Sequence, residues 1–569
     1  MIRKTGSQAP AKAKRVEKDV VRFVPLGGLE EVGRNCAYFE YKNEIVVVDV
    51  GIQFPEEDTP GVDYIIPNVI SLEPKKKNIQ GIIFTHGHYD HITALPYLLE
   101  KLGNPVIYTA SLTKAMIEKR LQEFPNVPKA QFIVVKNGDK VKISESFTAE
   151  FFDISHTIPD GLGFILDTPV GKMAHFGDFR LNMDAEGKPA DLATFERIGK
   201  LGVHTIFIDS TNALVEGFSL SERKIEENLE MLFKNAKGRI IVGTFASLLD
   251  RLNEIIKIAD KLGRKVALNG RSMKDNIQIA QGLGYIKPKK GQMIALEEVN
   301  KYPDNKVMIL TTGAQGEANA GLMRIVRGEH RVIQLKPTDT VIFSSSVVPG
   351  NERSVQALQD NIARQVDDLY NSKLLDIHTG GHARSEDLKL VMQVTKPKYV
   401  VPVHGYYFFR KHVKKLADAI GFPKENVMIL DNGQVSNLTK DGFEITKESV
   451  PTDYVMVDGL GIGDVEEVVL RDRMMLAKEG MVVIIATIER QTGKIIKNPD
   501  IISRGFILLK DNKELLEEIR RRLRSIFTRL PRQEADPDYV KTLIRDQIGQ
   551  FLFSKTRRRP MILPVIIEV

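Results

Sequence analysis

The chain reads as a series of short apolar runs that stop abruptly at polar, chemistry-bearing residues. Residues 21–25 and 44–50 have the length and β-branched content of buried strands. Between them, Gly27-Gly28-Leu29-Glu30-Glu31-Val32-Gly33-Arg34-Asn35 is too glycine-rich for a helix. Residues 81–84 predict another buried strand, and residues 94–102 a helix with Pro96 in its first turn. Strands are predicted again at residues 149–154 and just before His175-Phe176-Gly177-Asp178. From about residue 190 strands alternate with helices, the strands falling at residues 205–208, 239–242, 307–310 and 341–343. Each ends in small or hydroxyl residues, such as Asp209-Ser210-Thr211-Asn212 and Gly243-Thr244-Phe245-Ala246-Ser247. Buried strands separated by helices imply a parallel sheet, an α/β architecture in which ligands bind at the carboxyl ends of the strands. Small polar residues at those ends can offer donors to phosphate. Residues 398–403 predict a strand running into His404-Gly405.

Beyond that point the pattern weakens. Residues 440–452 are hydrophilic and read as a linker, and residues 456–470 and 481–489 suggest strands. Leu515, Leu516, Ile519, Leu523, Ile526 and Phe527 form a helical stripe. The opposite face carries Arg520, Arg521, Arg522 and Arg524 and is read as a solvated surface. Residues 560–569 are too apolar for a loose tail and are expected to dock as a strand.

Composition narrows the class. The 569 residues suffice for two to four domains at about 100–200 residues each. With 42% hydrophobic and 27% charged residues, the chain has the make-up of a globular protein. No apolar run approaches the roughly 18 residues of a membrane helix, so no membrane association is expected. Residues 1–19 are polar and basic, lack the apolar centre of a secretory signal, and read as a disordered tail. A single cysteine, Cys36, excludes an intrachain disulfide and a thiolate-cluster metal site and suits the cytoplasm. The net charge of +7 and pI of about 9.0 bias the surface mildly towards polyanions.

The decisive stretch is Thr85-His86-Gly87-His88-Tyr89-Asp90-His91, four potential metal ligands within six residues after a strand. Imidazole and carboxylate suit Zn²⁺ and also Mn²⁺. Of eleven histidines, seven fall at such strand ends or in short clusters: His86, His88, His91, His156, His378, His382 and His404. A two-metal hydrolytic centre follows as the expectation. His86, His88 and His156 would hold one metal, Asp90, His91 and His404 the other, and Asp178 would bridge them. Two ions about 3.5–4 Å apart activate water and stabilise charge on a phosphoryl group. Asp49, at a strand end before Gly51, is placed to orient a ligand from behind. His382 is the candidate acid for the leaving group, with Asp209 orienting it and keeping it protonated.

These residues carry a family resemblance. His86-x-His88-x-Asp90-His91, His156, Asp178 and Asp49 resemble the ligand series of the metallo-β-lactamase superfamily. Asp209, His382 and His404 resemble the additional motifs of its β-CASP nucleases. Gly27-Gly28-Leu29-Glu30-Glu31-Val32-Gly33, Gly270-Arg271-Ser272-Met273, Gln315-Gly316-Glu317, Pro349-Gly350-Asn351-Glu352 and Arg558-Arg559-Pro560-Met561 are similar to the ribonuclease J family in particular. The resemblance implies an αββα metallo-β-lactamase core over residues 20–208 and 366–440 and a β-CASP domain inserted at 209–365. A linker at 441–455 would then lead to a small C-terminal α/β domain at 456–569. It implies endonuclease and processive 5′-to-3′ exonuclease action on single-stranded RNA with a 5′-monophosphate, in mRNA decay and rRNA maturation. It also implies two divalent metals per chain (Zn²⁺ first, Mn²⁺ second), a homodimer or homotetramer, and membership of an RNA-degradation complex. The terminal phosphate would lie in a pocket at the domain interface, with Ser247, His378, Gly380 and Gly381 as substrate-binding residues. Two positions depart from the family pattern. Gly380 stands where a serine is usual, removing a hydroxyl donor from that pocket, and Tyr406 stands where a glutamate usually follows His404-Gly405.

Two other classes compete with a ribonuclease. A catalytically weak RNA-binding scaffold would not need the full ligand set. A small-molecule hydrolase on the same metal core would not need an inserted parallel-sheet domain. Within the superfamily, a DNA-cleaving β-CASP enzyme is the nearest alternative.

Overall fold

The computed structural model describes residues 19–569 other than 56–58, 185–186, 318–319, 349–350, 460, 464–466, 491, 493, 508–511 and 530–536. The basic tail expected at residues 1–19 thus lies, but for its last residue, outside the described residues. Two compact units divide the chain, one of residues 1–53 and 66–454, the other of 54–65 and 455–569.

In the first unit two sheets face each other. One has the strand order Phe443–Ser449, Gln434–Leu438, Val21–Gly27, Cys36–Tyr41, Glu44–Val48, Ile79–Ile83, Val106–Thr109, Gln131–Val134. The other runs Tyr399–Val403, Thr205–Asp209, Gly171–His175, Leu162–Thr168, Thr148–Asp153, Lys140–Lys142. Alternate residues of both sheets meet in one apolar layer containing Phe23, Phe39, Val46, Phe151, Phe164, Phe207 and Val401. A second core lies between the outer face of the shorter sheet and the helices Leu192–Lys200, Ser385–Thr395 and Tyr407–Ala419.

The strands Thr205–Asp209 and Tyr399–Val403 are parallel neighbours, with Asp209 opposite Val403. Nearly two hundred residues leave the sheet after the first of these strands and return at the second. Most of the excursion forms a separate parallel sheet, ordered Met293–Ile294, Lys265–Asn269, Val307–Thr311, Ile240–Gly243, Thr340–Phe343, Asp368–Tyr370. Its core includes Ile241, Ile309, Val341 and Leu358. The buried Arg239 donates to Asp339 through Nε (2.9 Å) and Nη2 (2.6 Å), anchoring a strand start that would otherwise bury a lone charge.

Residues 441–455, expected as a linker, instead contain the edge strand Phe443–Ser449, paired antiparallel with Gln434–Leu438. Only Phe443 and Ile445 pack on the core, so the remaining polar side chains mask the strand in a composition reading. Residues 456–470, expected as strand, hold Val455–Asp458, Gly461–Ile462 and then the start of the helix Glu467–Glu479. There the apolar residues recur at helical rather than alternating spacing.

The second unit has a three-stranded sheet, Asp500–Arg504, Met481–Ile488, Met561–Glu568, whose last strand is the expected C-terminal one. Helices Lys513–Arg529 and Pro537–Thr556 cover it through Ile519, Leu523, Ile526, Ile544 and Leu552. Among the described residues no helix is long and apolar enough to cross a membrane.

Phe207 joins the two sheets of the first unit, with ring centroids 4.4 Å from Phe23 and 5.3 Å from Phe39. Phe207→Ala is expected to destabilise the protein by about 3–5 kcal/mol, read as a lower urea midpoint by circular dichroism. A loss below about 1 kcal/mol would mean that the sheets do not depend on this contact.

Candidate metal centre

Register brings the reactive residues to one end of the sandwich. Val48 pairs with Ile83 in the parallel pair Glu44–Val48 and Ile79–Ile83, so Asp49 lies level with the loop that carries His86, His88, Asp90 and His91. From the opposing sheet, His156 follows Thr148–Asp153, Asp178 follows Gly171–His175, Asp209 ends its strand, and His404 follows Tyr399–Val403. Asp49 (φ 56°) and His404 (φ 49°) adopt the left-handed conformation, uncommon for residues other than glycine, and each turns the chain sharply at a strand end.

Asp49 is buried and organises the loop. Its Oδ1 accepts from the Thr85 amide (2.9 Å), and its Oδ2 from the Thr85 hydroxyl (2.9 Å) and His91 Nδ1 (2.8 Å). Because the Thr85 hydroxyl donates to Asp49, its oxygen accepts from His86 Nδ1 at 3.0 Å. His86 Nε2 therefore carries a lone pair. His156 Nδ1 donates to Gly381 O at 2.7 Å, which leaves a lone pair on His156 Nε2 too. These two nitrogens lie 3.1 and 3.0 Å from His88 Nδ1. One proton on His88 can satisfy only one of them, and the buried His88 Nε2 has no partner. A cation satisfies all three nitrogens together. Burial pulls His88 down to about 4 and holds His86 and His156 well below the usual imidazole range, which keeps them in the neutral, ligating form.

A second set lies alongside. His91 Nε2 is 3.1 Å from Asp178 Oδ2 and 3.5 Å from Asp90 Oδ2. His404 Nδ1 is 2.7 Å from Asp178 Oδ1, and its Nε2, which makes no hydrogen bond, is 3.3 Å from Asp90 Oδ2. Burial opposes charge on His404, but Asp178 and Asp90 outweigh it and raise it to about 10. The two carboxylates favour positive charge between them, which suits a divalent cation. Asp178 Oδ2 also stands 3.9 Å from His86 Nε2, so this carboxylate faces both sets. The donors of each set lie within 4.8 Å of one another, a spacing suited to one ion per set.

Asp209 and His382 form a pair on the rim. Asp209 Oδ2 accepts from His382 Nδ1 at 2.8 Å, while its Oδ1 accepts from the Thr211 amide (2.9 Å) and hydroxyl (2.8 Å). Burial opposes protonation of His382, but Asp209 and then Asp178 outweigh it and raise its pKa. With Nδ1–H held by Asp209, Nε2 is the nitrogen free to exchange a proton.

The remaining candidates sit elsewhere. Gly381 lies under His156: a Cβ there would come within 2.2 Å of its ring, so glycine permits the carbonyl contact. Gly380 borders Asn212, whose Nδ2 donates to His382 O at 3.3 Å. His378 is buried outside the metal sets, where burial, followed by Arg251, pulls it down to about 3. The backbone before it is held by Arg251, which donates to Ile377 O (3.0 Å) and pairs with Glu222 (2.7 Å). Ser247 stands before the helix Leu249–Lys261 of the inserted domain, where its carbonyl accepts from Leu249. Asn35 escaped the sequence reading. Its Nδ2 lies 3.2 Å from Asp90 O and 3.1 Å from His91 Nε2. The glycine-rich stretch around it was a signal for a special backbone, with nothing to indicate which ligands it would reach.

Family models match three segments: the metallo-β-lactamase superfamily over residues 29–208, the ribonuclease J β-CASP domain over 237–362, and the ribonuclease J C-terminal domain over 468–569. Among curated relatives, ribonuclease J 1 of Streptococcus pyogenes is 39% identical over 543 residues, 95% of this chain and 96% of that protein. Ribonuclease J of Thermus thermophilus is 38% identical, covering 97% and 96%, and ribonuclease J2 of Bacillus subtilis 32%, covering 98% and 100%. Among solved structures, a protein of unknown function from Enterococcus faecalis shares the fold, with a TM-score of 0.52 and 14% identity over 74% of this chain and all of that one. The metal-ligand chemistry at the strand ends, the inserted parallel sheet and near full-length relatives above 30% identity lead to one conclusion: the chain belongs to the ribonuclease J family of metal-dependent β-CASP nucleases.

Proposed function

We propose that this chain is a two-metal ribonuclease that hydrolyses phosphodiester bonds of single-stranded RNA, both internally and processively from a 5′-monophosphate end. The observation that carries the reading is the convergence of three imidazole nitrogens, from His86, His88 and His156, beside the Asp90, His91, Asp178 and His404 set. In this reading His86, His88 and His156 hold one ion, Asp90, His91 and His404 a second, and Asp178 faces both. Zn²⁺ is the first choice and Mn²⁺ the second. When bound, such ions supply positive charge against the phosphoryl oxygens and activate water near neutral pH.

The protein's own groups do the rest. Asp49 holds His91 and, through Thr85, His86 in the tautomers that aim Nε2 at the site. Asp209 favours the protonated form of His382, and His382 gives its proton to the departing oxygen. Ser247, His378, Gly380 and Gly381 belong to the region assigned to the terminal phosphate. With glycine at position 380, the donor there is a backbone amide in place of a side-chain hydroxyl. The cellular roles that fit are mRNA decay and rRNA maturation in the cytoplasm, by a homodimer or homotetramer within an RNA-degradation complex.

His88→Ala is expected to abolish metal-dependent release of nucleotides from end-labelled RNA. Wild type should degrade 5′-monophosphate RNA faster than 5′-triphosphate or 5′-hydroxyl RNA, and single-stranded DNA least. Equal turnover of all four substrates would remove the phosphate-sensing part, and binding of RNA without any cleavage would favour the scaffold reading.

Asp209→Asn is expected to lower kcat by about 100-fold or more. The acid must be protonated, so activity falls as pH rises through the pKa of His382. Removing the carboxylate lowers that pKa, and the alkaline limb of the pH–rate profile should move to lower pH. An unmoved limb would show that His382 is not the acid.

A further inference from the structure

Tyr406, one of the two residues that depart from the family pattern, opens an unusual run. His404-Gly405 is followed by Tyr406, Tyr407, Phe408 and Phe409, and then by Arg410, Lys411, His412, Lys414 and Lys415. Tyr406, Tyr407 and Phe408 are exposed by 38%, 51% and 61%. Three neighbouring aromatic side chains exposed together form an apolar patch, the kind of surface that marks an interaction site.

The platform that carries them is rigid. Gly405 N donates to Gly28 O and Gly405 O accepts from Glu30 N, both at 3.1 Å. A Cβ on Gly405 would come within 2.6 Å of Ser210 Oγ. The buried Arg410 donates through Nε to the same carbonyl at 3.0 Å and lies 5.6 Å from the centre of the Tyr407 ring. Tyr406 packs edge-on against Phe409 at 5.4 Å. The first turn of the helix Tyr407–Ala419 is therefore locked to the loop that ends in His404.

The helix also has a charge pattern. At 100° per residue, Tyr407, Phe408, Lys411, Lys414 and Lys415 share one face, with a single acid, Asp418, at its far end, opposite the inward Val413, Leu416 and Ala417. None of the three lysines is in an ion pair among the described residues. Burial first, then Lys415 of this face and Lys389 of a neighbouring helix, hold His412 below the usual imidazole range. The aromatic residues thus begin two positions after His404 in the chain, and lysines continue from them over about 12 Å of helix. π-faces continued by ammonium groups suit single-stranded nucleic acid, because bases stack on the former and phosphates pair with the latter.

We propose that the exposed face of Tyr407–Ala419 is a binding track for single-stranded RNA, on which Tyr406, Tyr407 and Phe408 stack bases adjoining the scissile phosphate and Lys411 and Lys415 pair with the backbone beyond. The proposal rests on the ribonuclease reading above and names the part of this chain that grips the strand. Tyr406 then exchanges a charge that would repel RNA for a ring that binds it.

Binding of a fluorescent 20-nucleotide single-stranded RNA, followed by anisotropy without added metal over a range of KCl concentrations, tests this separately from cleavage. Phe408→Ala and Tyr407→Ala should each weaken binding by about fivefold or more, the loss of one base–aromatic stack, and Tyr407→Phe should restore it. Lys411→Gln with Lys415→Gln should reduce the slope of log Kd against log salt by about 1.4. These side chains are exposed, and circular dichroism of each variant verifies folding. Unchanged affinity and slope in all variants would overturn the proposal and leave the patch to a protein partner, as would equal binding of a blunt RNA duplex. Absence of metal-dependent cleavage by a wild type that binds RNA through this face would instead overturn the nuclease reading and leave the track standing.

Discussion

The centre depends on one buried carboxylate. Asp49 accepts three hydrogen bonds, from the Thr85 amide, the Thr85 hydroxyl and His91 Nδ1. Each has a consequence for the ligands. The contact with His91 fixes its ring directly, and the contact with the Thr85 hydroxyl fixes that of His86 at one remove. A carboxylate with these partners pre-sets imidazole tautomers before any ion arrives, so less free energy goes into ordering the site on binding. Asp49 can do this because its backbone is left-handed at φ 56°, which swings the side chain back across the end of its own strand.

The same economy appears on the opposing sheet. His156 is held by a backbone carbonyl, Gly381 O, from 225 residues further along the chain. The contact needs a residue with no side chain, since a Cβ would overlap the His156 ring. Gly381 also precedes His382, so one peptide links a candidate ligand of the first set to the candidate acid. The inserted domain leaves after Asp209 and returns before His404, on paired strands. The His382–Asp209 pair is thereby assembled at the junction where the two domains exchange chain.

Much of the centre was legible because metal chemistry is restrictive about residue type. Histidines and aspartates at the ends of apolar runs have few structural uses, and so many of them in one chain point to a single site. His86, His88, His156, Asp90, His91, Asp178 and His404 do meet at one end of the sandwich. Asn35 was illegible because an asparagine in a glycine-rich loop looks like any turn residue. The strand Phe443–Ser449 was hidden for a related reason: an edge strand with one wet face has the composition of a linker.

The sequence by itself determined the chemistry and the architecture. Ligand identity, strand-end placement and the alternation of strands and helices are local properties, written within a few residues of each other. Only the tertiary structure decided which nitrogen of each histidine faces the site, which glycine makes room for His156, and where the aromatic run after His404 points. Those depend on hydrogen bonds and contacts between segments tens to hundreds of residues apart, where register and packing set distances that no local pattern encodes. The His86–His91 loop is thus recognisable as a metal loop from its residues alone. It becomes one half of a pre-set centre only when Asp49, Thr85 and the opposing sheet close around it.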